Sequence, residues 1–256
     1  MIRTSVQLKA KIRNPASGDS TKSQTLLLTF IMERFLERIS LSAYRDNFIL
    51  KGGMLVASLV GLYTRATMDI DTTLRSATLN QEEAVKIMED VIGVEVDDGV
   101  TFAIIKVEDV LEGHDYPGVR FVLQATLDRL RQKIKIDIST GDAITPQAVE
   151  YAYKLMFEDR HIKLWTYSVE TLLAEKLETI MARGALNTRM RDFYDVHVIA
   201  TQEKYRLDLL REAFLVTSRK RHTSQMIGEM KSILNTVAQD ETMRKLWGNY
   251  VRDSFL

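Results

Sequence analysis

The run Lys133-Ile134-Lys135-Ile136-Asp137-Ile138 alternates charge and isoleucine without a break. Only an extended strand sends such residues to opposite sides, because successive side chains of a strand alternate faces. The chain must therefore build a sheet with an apolar back and a charged front, and Asp137 belongs to the front. Asp69-Ile70-Asp71 follows the same rule. Its two carboxylates project together from a strand while Ile70 faces the other way. If the two segments are adjacent strands, Asp69, Asp71 and Asp137 converge on one point.

The surrounding pattern fills in a first half of mixed α/β character. Phe48-Ile49-Leu50 is a short buried strand running into the turn Lys51-Gly52-Gly53, and Met54 to Leu62 reads as the helix that follows. Residues 68–72 form a strand. Residues 81–92 form a helix with Asn80 as its N-cap. Residues 100–107, 119–127 and 132–138 are further strands, with turns at Pro117-Gly118 and Asp128-Arg129. Nearer the N-terminus, a short basic helix within residues 6–18 is expected to stop before Pro15. Leu26, Leu27, Phe30, Ile31, Phe35 and Leu36 predict an amphipathic helix over 22–38.

From Tyr167 onward the periodicity is helical: 168–183, 190–203, 207–217 and two more segments. The last of three prolines is Pro146, so no proline interrupts these helices. The expected fold class is therefore α/β (α+β). A mixed-sheet domain with N-terminal helices covers 1–160, and a helical domain covers 161–256.

Lys+Arg and Asp+Glu number 35 each, so the whole molecule exerts no net pull on a polyanion and any such site must be a local patch. The absence of cysteine excludes disulfides, thiolate metal sites and cysteine nucleophiles, and it fits a reducing cytoplasm. His114, His161, His197 and His222 lie too far apart for the helical spacing of a zinc site. No apolar run reaches membrane-spanning length, and the first residues lack the apolar core of a signal peptide. A cytoplasmic protein without membrane association is expected.

Carboxylates gathered without counterions call for a divalent cation, and oxygen ligands favour Mg²⁺ or Mn²⁺. Two such ions can share a cluster of this kind, one activating an attacking oxygen and the other holding a triphosphate. Gly52 and Gly53 let the backbone approach phosphate, and the N-terminus of the next helix favours an anion. The plainer readings are a solvated strand edge and a simple strand-to-helix turn.

Two further groups stand out. Ser168 is a good N-cap for a helix with Glu170 and Thr171 in its first turn. Lys176 on that helix either reaches a phosphate or is solvated. Asp192 and Asp195 share a helix face. Asp192 is placed to position Lys176, whereas Arg191 and Asp195 have the spacing of a surface ion pair. The densest basic run holds Arg219, Lys220 and Arg221, which suit nucleotide or RNA phosphates and equally suit a helix C-terminus.

In this order the pieces resemble the Abi-type nucleotidyltransferase toxins, the AbiEii/AbiGii family of the DNA polymerase β-like superfamily. The matching stretches are Leu50-Lys51-Gly52-Gly53, Arg65-Ala66-Thr67-Met68-Asp69-Ile70-Asp71, Lys135-Ile136-Asp137-Ile138, Glu170-Thr171-Leu172-Leu173-Ala174-Glu175-Lys176-Leu177 and Arg191-Asp192-Phe193-Tyr194-Asp195. The resemblance implies a nucleotidyltransferase core and a helical domain with the nucleotide between them. It implies Mg²⁺ on Asp69 and Asp71, with Asp137 the least fixed ligand. It further implies phosphate contact by Lys176, and completion of the site by Asp192 or Asp195. Lys51, Gly52, Gly53, Arg65, Thr67 and Arg191 fall on its nucleotide- and phosphate-binding positions. The superfamily's usual Gly-Ser pair is Gly52-Gly53 in this chain, so no hydroxyl is offered there. The implied activity is transfer of NMP from an NTP to an acceptor, with tRNA expected, in a toxin–antitoxin, abortive-infection or phage-defence setting beside a cognate antitoxin. A small-molecule or protein acceptor, or non-catalytic NTP binding, are the alternatives.

Overall fold

The computed structural model of the chain describes residues 1–61, 67–75, 80–110 and 118–253. It divides into two compact units. One holds residues 1–58, 66–142 and 149–166, the other residues 59–65, 143–148 and 167–256.

The first unit begins with two helices, α1 (Ser5–Ala16) and α2 (Ser20–Leu41). Helix α1 runs through Pro15 instead of stopping before it. A proline this close to the end removes a single N–H, and the helix terminates at Ser17, whose φ of 51° is left-handed. Helix α2 is not the one-sided helix that its spacing predicts. Glu33, Arg34, Glu37 and Arg38 are as buried as Phe30, Ile31 and Phe35, because each charged residue has a partner. Arg38 makes a bidentate pair with Asp98 at 2.8 and 3.0 Å, and Arg34 meets Glu37 and Glu158 at 3.1 and 3.2 Å. Glu33 accepts from the Met156 amide at 3.1 Å.

Strand β1 (Phe48–Lys51) leads directly into α3 (Gly52–Val60), which opens at Gly52 rather than Met54. The expected end of that helix, Leu62, lies outside the described residues, as does Pro117 of the expected turn. Strand β2 (Asp69–Leu74) and α4 (Gln81–Ile92) follow, the latter with a complete capping box between Asn80 and Glu83. Then come β3 (Val100–Val110), β4 (Gly118–Leu127) and β5 (Leu130–Thr140). Asp128 and Arg129 form the tight β4–β5 turn, with Asp128 at φ 51°. Two strands that sequence reading did not anticipate, β6 (Val149–Lys154) and β7 (His161–Thr166), complete the sheet.

Among the described residues the order is β3-β4-β5-β2-β1-β7-β6. The β2–β5 and β1–β7 pairs are parallel and the others antiparallel, so the sheet is mixed. Its back packs on α2, with Ile134, Ile136 and Ile138 all buried. The odd-numbered residues of β5 point to the other side.

The second unit is helical: α5 (Val169–Arg183), α6 (Met190–Gln202), α7 (Leu207–Lys220), α8 (Met230–Gln239) and α9 (Glu241–Asp253). Ser168 caps α5 by accepting from the Thr171 amide, as its sequence position predicts. Ala174, Met181, Ala213 and Phe214 bind α5 to α7, and Met190, Val237 and Met243 form a second core. No helix among the described residues is long and apolar enough to cross a membrane.

Candidate functional site

The three acids meet as the alternation predicts. β2 lies beside β5 in parallel, with Asp71 opposite Asp137 and Asp69 opposite Lys135. Opposed residues share a face. The register therefore draws a row across four strands: Arg120 on β4, Asp137 on β5, Asp71 on β2 and Lys51 on β1. Asp69 sits two residues along the same face.

Each member of the row is held differently. Asp137 is gripped by Arg120 through two bonds, Nε to Oδ1 at 2.7 Å and Nη2 to Oδ2 at 2.6 Å. Lys51 pairs with buried Asp142, whose Oδ2 also accepts from Ser139 at 3.0 Å. Thr67 is buried and its hydroxyl turns to Asp69, 3.3 Å from the carbonyl and 3.4 Å from Oδ1. Arg65 lies outside the described residues.

Asp71 leans on the glycine turn. Its Oδ2 is 3.4 Å from the Gly53 amide, and a Cβ added to Gly52 would lie only 2.0 Å from that oxygen. Gly52 also has φ +61°. Glycine is required twice over, for the backbone angle and for the space. Burial, the negative charge of Asp69 and then that of Asp137 push the Asp71 carboxyl up to about 6, against the opposing pull of Lys51 and the Gly53 amide.

That is the signature of a carboxylate pair short of positive charge. Asp69 and Asp71 are hard oxygen donors on one face, and Mg²⁺ is commonly held by one or two protein carboxylates with substrate phosphates and water supplying the rest. The pair fits such an ion. Asp137 already satisfies both its oxygens with Arg120. Among the described residues no group of three or more His, Asp or Glu is arranged to hold a metal.

In the helical unit, Lys176 is buried between two buried aspartates. Its Nζ is 3.1 Å from Asp192 Oδ1 and 2.6 Å from Asp195 Oδ2. The reading of Lys176 as a solvated lysine is thereby set aside. Arg189 adds a second cation, with Nε 2.9 Å from Asp192 Oδ2. The suggested Arg191–Asp195 surface pair does not form, since Asp195 faces inward to Lys176 while Arg191 is exposed. In the basic run, Arg221 caps α7 and is committed to Glu175 and Glu178 at 3.0 and 2.7 Å. Arg219 and Lys220 remain exposed in the last turn of α7.

Sequence reading missed Arg120, Arg189 and Asp142. Arg120 was within reach of it. Counting equal numbers of residues outward from the Asp128-Arg129 turn pairs Arg120 with Asp137. The partners of Lys51 and Lys176 have no such local rule.

Among curated proteins none matches this chain. Similar solved structures include JHP933 from Helicobacter pylori, at 15% identity and TM-score 0.47, covering 87% of this chain and 97% of that one. They also include an antigenic nucleotidyltransferase-like protein from Paracoccidioides brasiliensis, at 14% and 0.46, covering 81% and 93%. A third is ANT(2")-Ia in complex with adenylyl-2"-tobramycin, at 13% and 0.44, covering 76% and 97%. At these identities and scores they bear on neither substrate nor mechanism. The profile of a family described as nucleotidyl transferase AbiEii toxin, of type IV toxin–antitoxin systems, matches residues 34–256. That span takes in the acid pair, the glycine turn and the Lys176 cluster, and the chain belongs to the AbiEii nucleotidyl transferase toxin family.

Proposed function

We propose that this protein transfers a nucleoside monophosphate from an NTP to a hydroxyl of an RNA acceptor, with tRNA the expected acceptor and Mg²⁺ or Mn²⁺ required. The observation that carries the reading is the under-neutralised pair Asp69 and Asp71 beside the glycine turn. The acceptor oxygen forms a bond to the α-phosphorus, the bond from that phosphorus to the β-bridging oxygen breaks, and pyrophosphate leaves. The acceptor's proton passes to a site carboxylate. Asp69 and Asp71 would hold the divalent ion, which supplies charge neutralisation of the phosphates. Gly52 leaves the start of α3 open to a carboxylate oxygen, and Gly52 and Gly53 are assigned phosphate contacts at that helix start. Arg120 holds Asp137 in place and balances its charge. Lys176, steadied by Asp192 and Asp195, is assigned as the cation of the helical unit. Lys51, Thr67 and Arg191 are assigned supporting phosphate contacts. A cognate antitoxin as partner and a cytoplasmic location belong to the same reading, which the family supports.

The test is label transfer from each radiolabelled NTP to total tRNA, to protein and to small molecules. Transfer to RNA is expected, with loss of both labelling and toxicity in Asp69→Ala. Full toxicity in a well-expressed Asp69→Ala protein would sink the mechanism, and label on another acceptor would replace tRNA.

A further inference from the structure

The charged front of the β3–β4–β5 sheet is lopsided. Along β5, Arg131, Lys133 and Lys135 occupy every second position and are all exposed. Their side chains make no ion pair among the described residues. The two other cations on this face are engaged, Lys106 by Glu108 at 2.6 Å and Arg120 by Asp137.

The register shows what flanks the three. Their cross-strand rows are Thr101–Thr126–Arg131, Ala103–Gln124–Lys133 and Lys106–Val122–Lys135. No carboxylate stands in the first two, and the third continues onto β2 at Asp69. Alternate residues on a strand repeat at about 6.6–6.8 Å, which makes the three cations a regular track. The track has a direction. Lys135 is the register partner of Asp69, so its inner end abuts the acid pair. In a chain with no net charge, this is a local concentration of positive potential of the kind a polyanion needs.

We propose that the open face of β3–β4–β5 docks the phosphodiester backbone of the RNA acceptor, with Arg131, Lys133 and Lys135 neutralising phosphates and leading the strand toward Asp69. The proposal rests on the transfer reaction above for the identity of the polyanion. Phosphate contacts of this type position a nucleic acid without reading its sequence. An anionic lipid surface is disfavoured, because among the described residues of β3–β5 the exposed large apolar side chain is Ile105, and no exposed aromatic accompanies it.

The test uses the full chain and fluorescently end-labelled total tRNA, with no NTP present. Binding is measured by anisotropy across a salt series for wild type and for Arg131→Gln/Lys133→Gln. Lys135 is left alone because of its place beside Asp69. The double variant is expected to bind roughly tenfold or more weakly, and its log–log salt slope to fall by about 2, one for each lost phosphate contact. Thermal melting confirms that the variant is folded. Equal affinity and slope for the two proteins overturn the docking surface. So does binding to phosphatidylserine vesicles that needs these residues while tRNA binding does not. Should tRNA binding depend on the track while no RNA takes label, the docking surface stands and the transfer reaction falls. Should tRNA be labelled with an unchanged KM in the double variant, the reaction stands and the docking surface falls.

Discussion

A single glycine shows how tightly this site is drawn. At Gly52 an alanine would need φ +61°, and its Cβ would fall within the Asp71 carboxylate. The backbone angle alone costs about 1–2 kcal/mol for an L-residue. Relief of the collision must move Asp71, since the other side of the contact is main chain. Gly52→Ala is expected to lower stability by about 1–3 kcal/mol in urea denaturation. It should also abolish label transfer at temperatures where the variant stays folded. Wild-type stability and transfer would show that the two groups do not touch in solution. Arg120 carries a related lesson. It was readable from the hairpin turn, yet nothing in its own neighbourhood, Val119-Arg120-Phe121, sets it apart from any polar-face residue.

At the scale of elements, α5 and α6 are fastened by a buried cluster as well as by apolar packing. Lys176 comes from one helix, and Arg189, Asp192 and Asp195 come from the start of the other. Lys176→Met takes the ammonium away from two buried aspartates, and breaking such a pair typically costs about 3–5 kcal/mol. Asp195→Asn keeps the Asp192 contact and a hydrogen-bonding amide, so about 1–3 kcal/mol is expected. Paired denaturation curves check the ranking, and a larger loss for Asp195→Asn would contradict it. The elements themselves were largely legible, because β4, β5 and the later helices carry clean periodicity and well-placed caps. The exceptions have physical causes. β6 and β7 are only six residues each, and pairing with β1 and with each other makes them strands. α2 defeats period-based reading because Glu33, Arg34, Glu37 and Arg38 are buried by partners as distant as Asp98 and Glu158. Such partners leave no mark on local spacing.

At the scale of the whole molecule, that buried charge makes stability depend on pH. Burial is the main reason Glu33 is pushed up to about 8 from its ordinary 4.5. The native state therefore holds this proton more tightly than the unfolded chain. Its contribution is fully present below about pH 4.5 and is lost as pH rises to and through about 8. Asp71 acts in the same sense over the lower range up to about 6. Glu33→Gln mimics the protonated acid and is expected to flatten the fall in Tm between pH 5 and 8. An unchanged slope would place the origin of the fall elsewhere. The acid pair raises a different question, that of order. The Asp71 carboxylate rests against the Gly53 amide, at the opening of α3 where the proposed reaction would seat a phosphate. The protein's own anion thus keeps the seat warm. On the proposed reaction a naked triphosphate would meet repulsion there, whereas one arriving with its cation would draw the carboxylate away. The proposed reaction would then admit its nucleotide by escort.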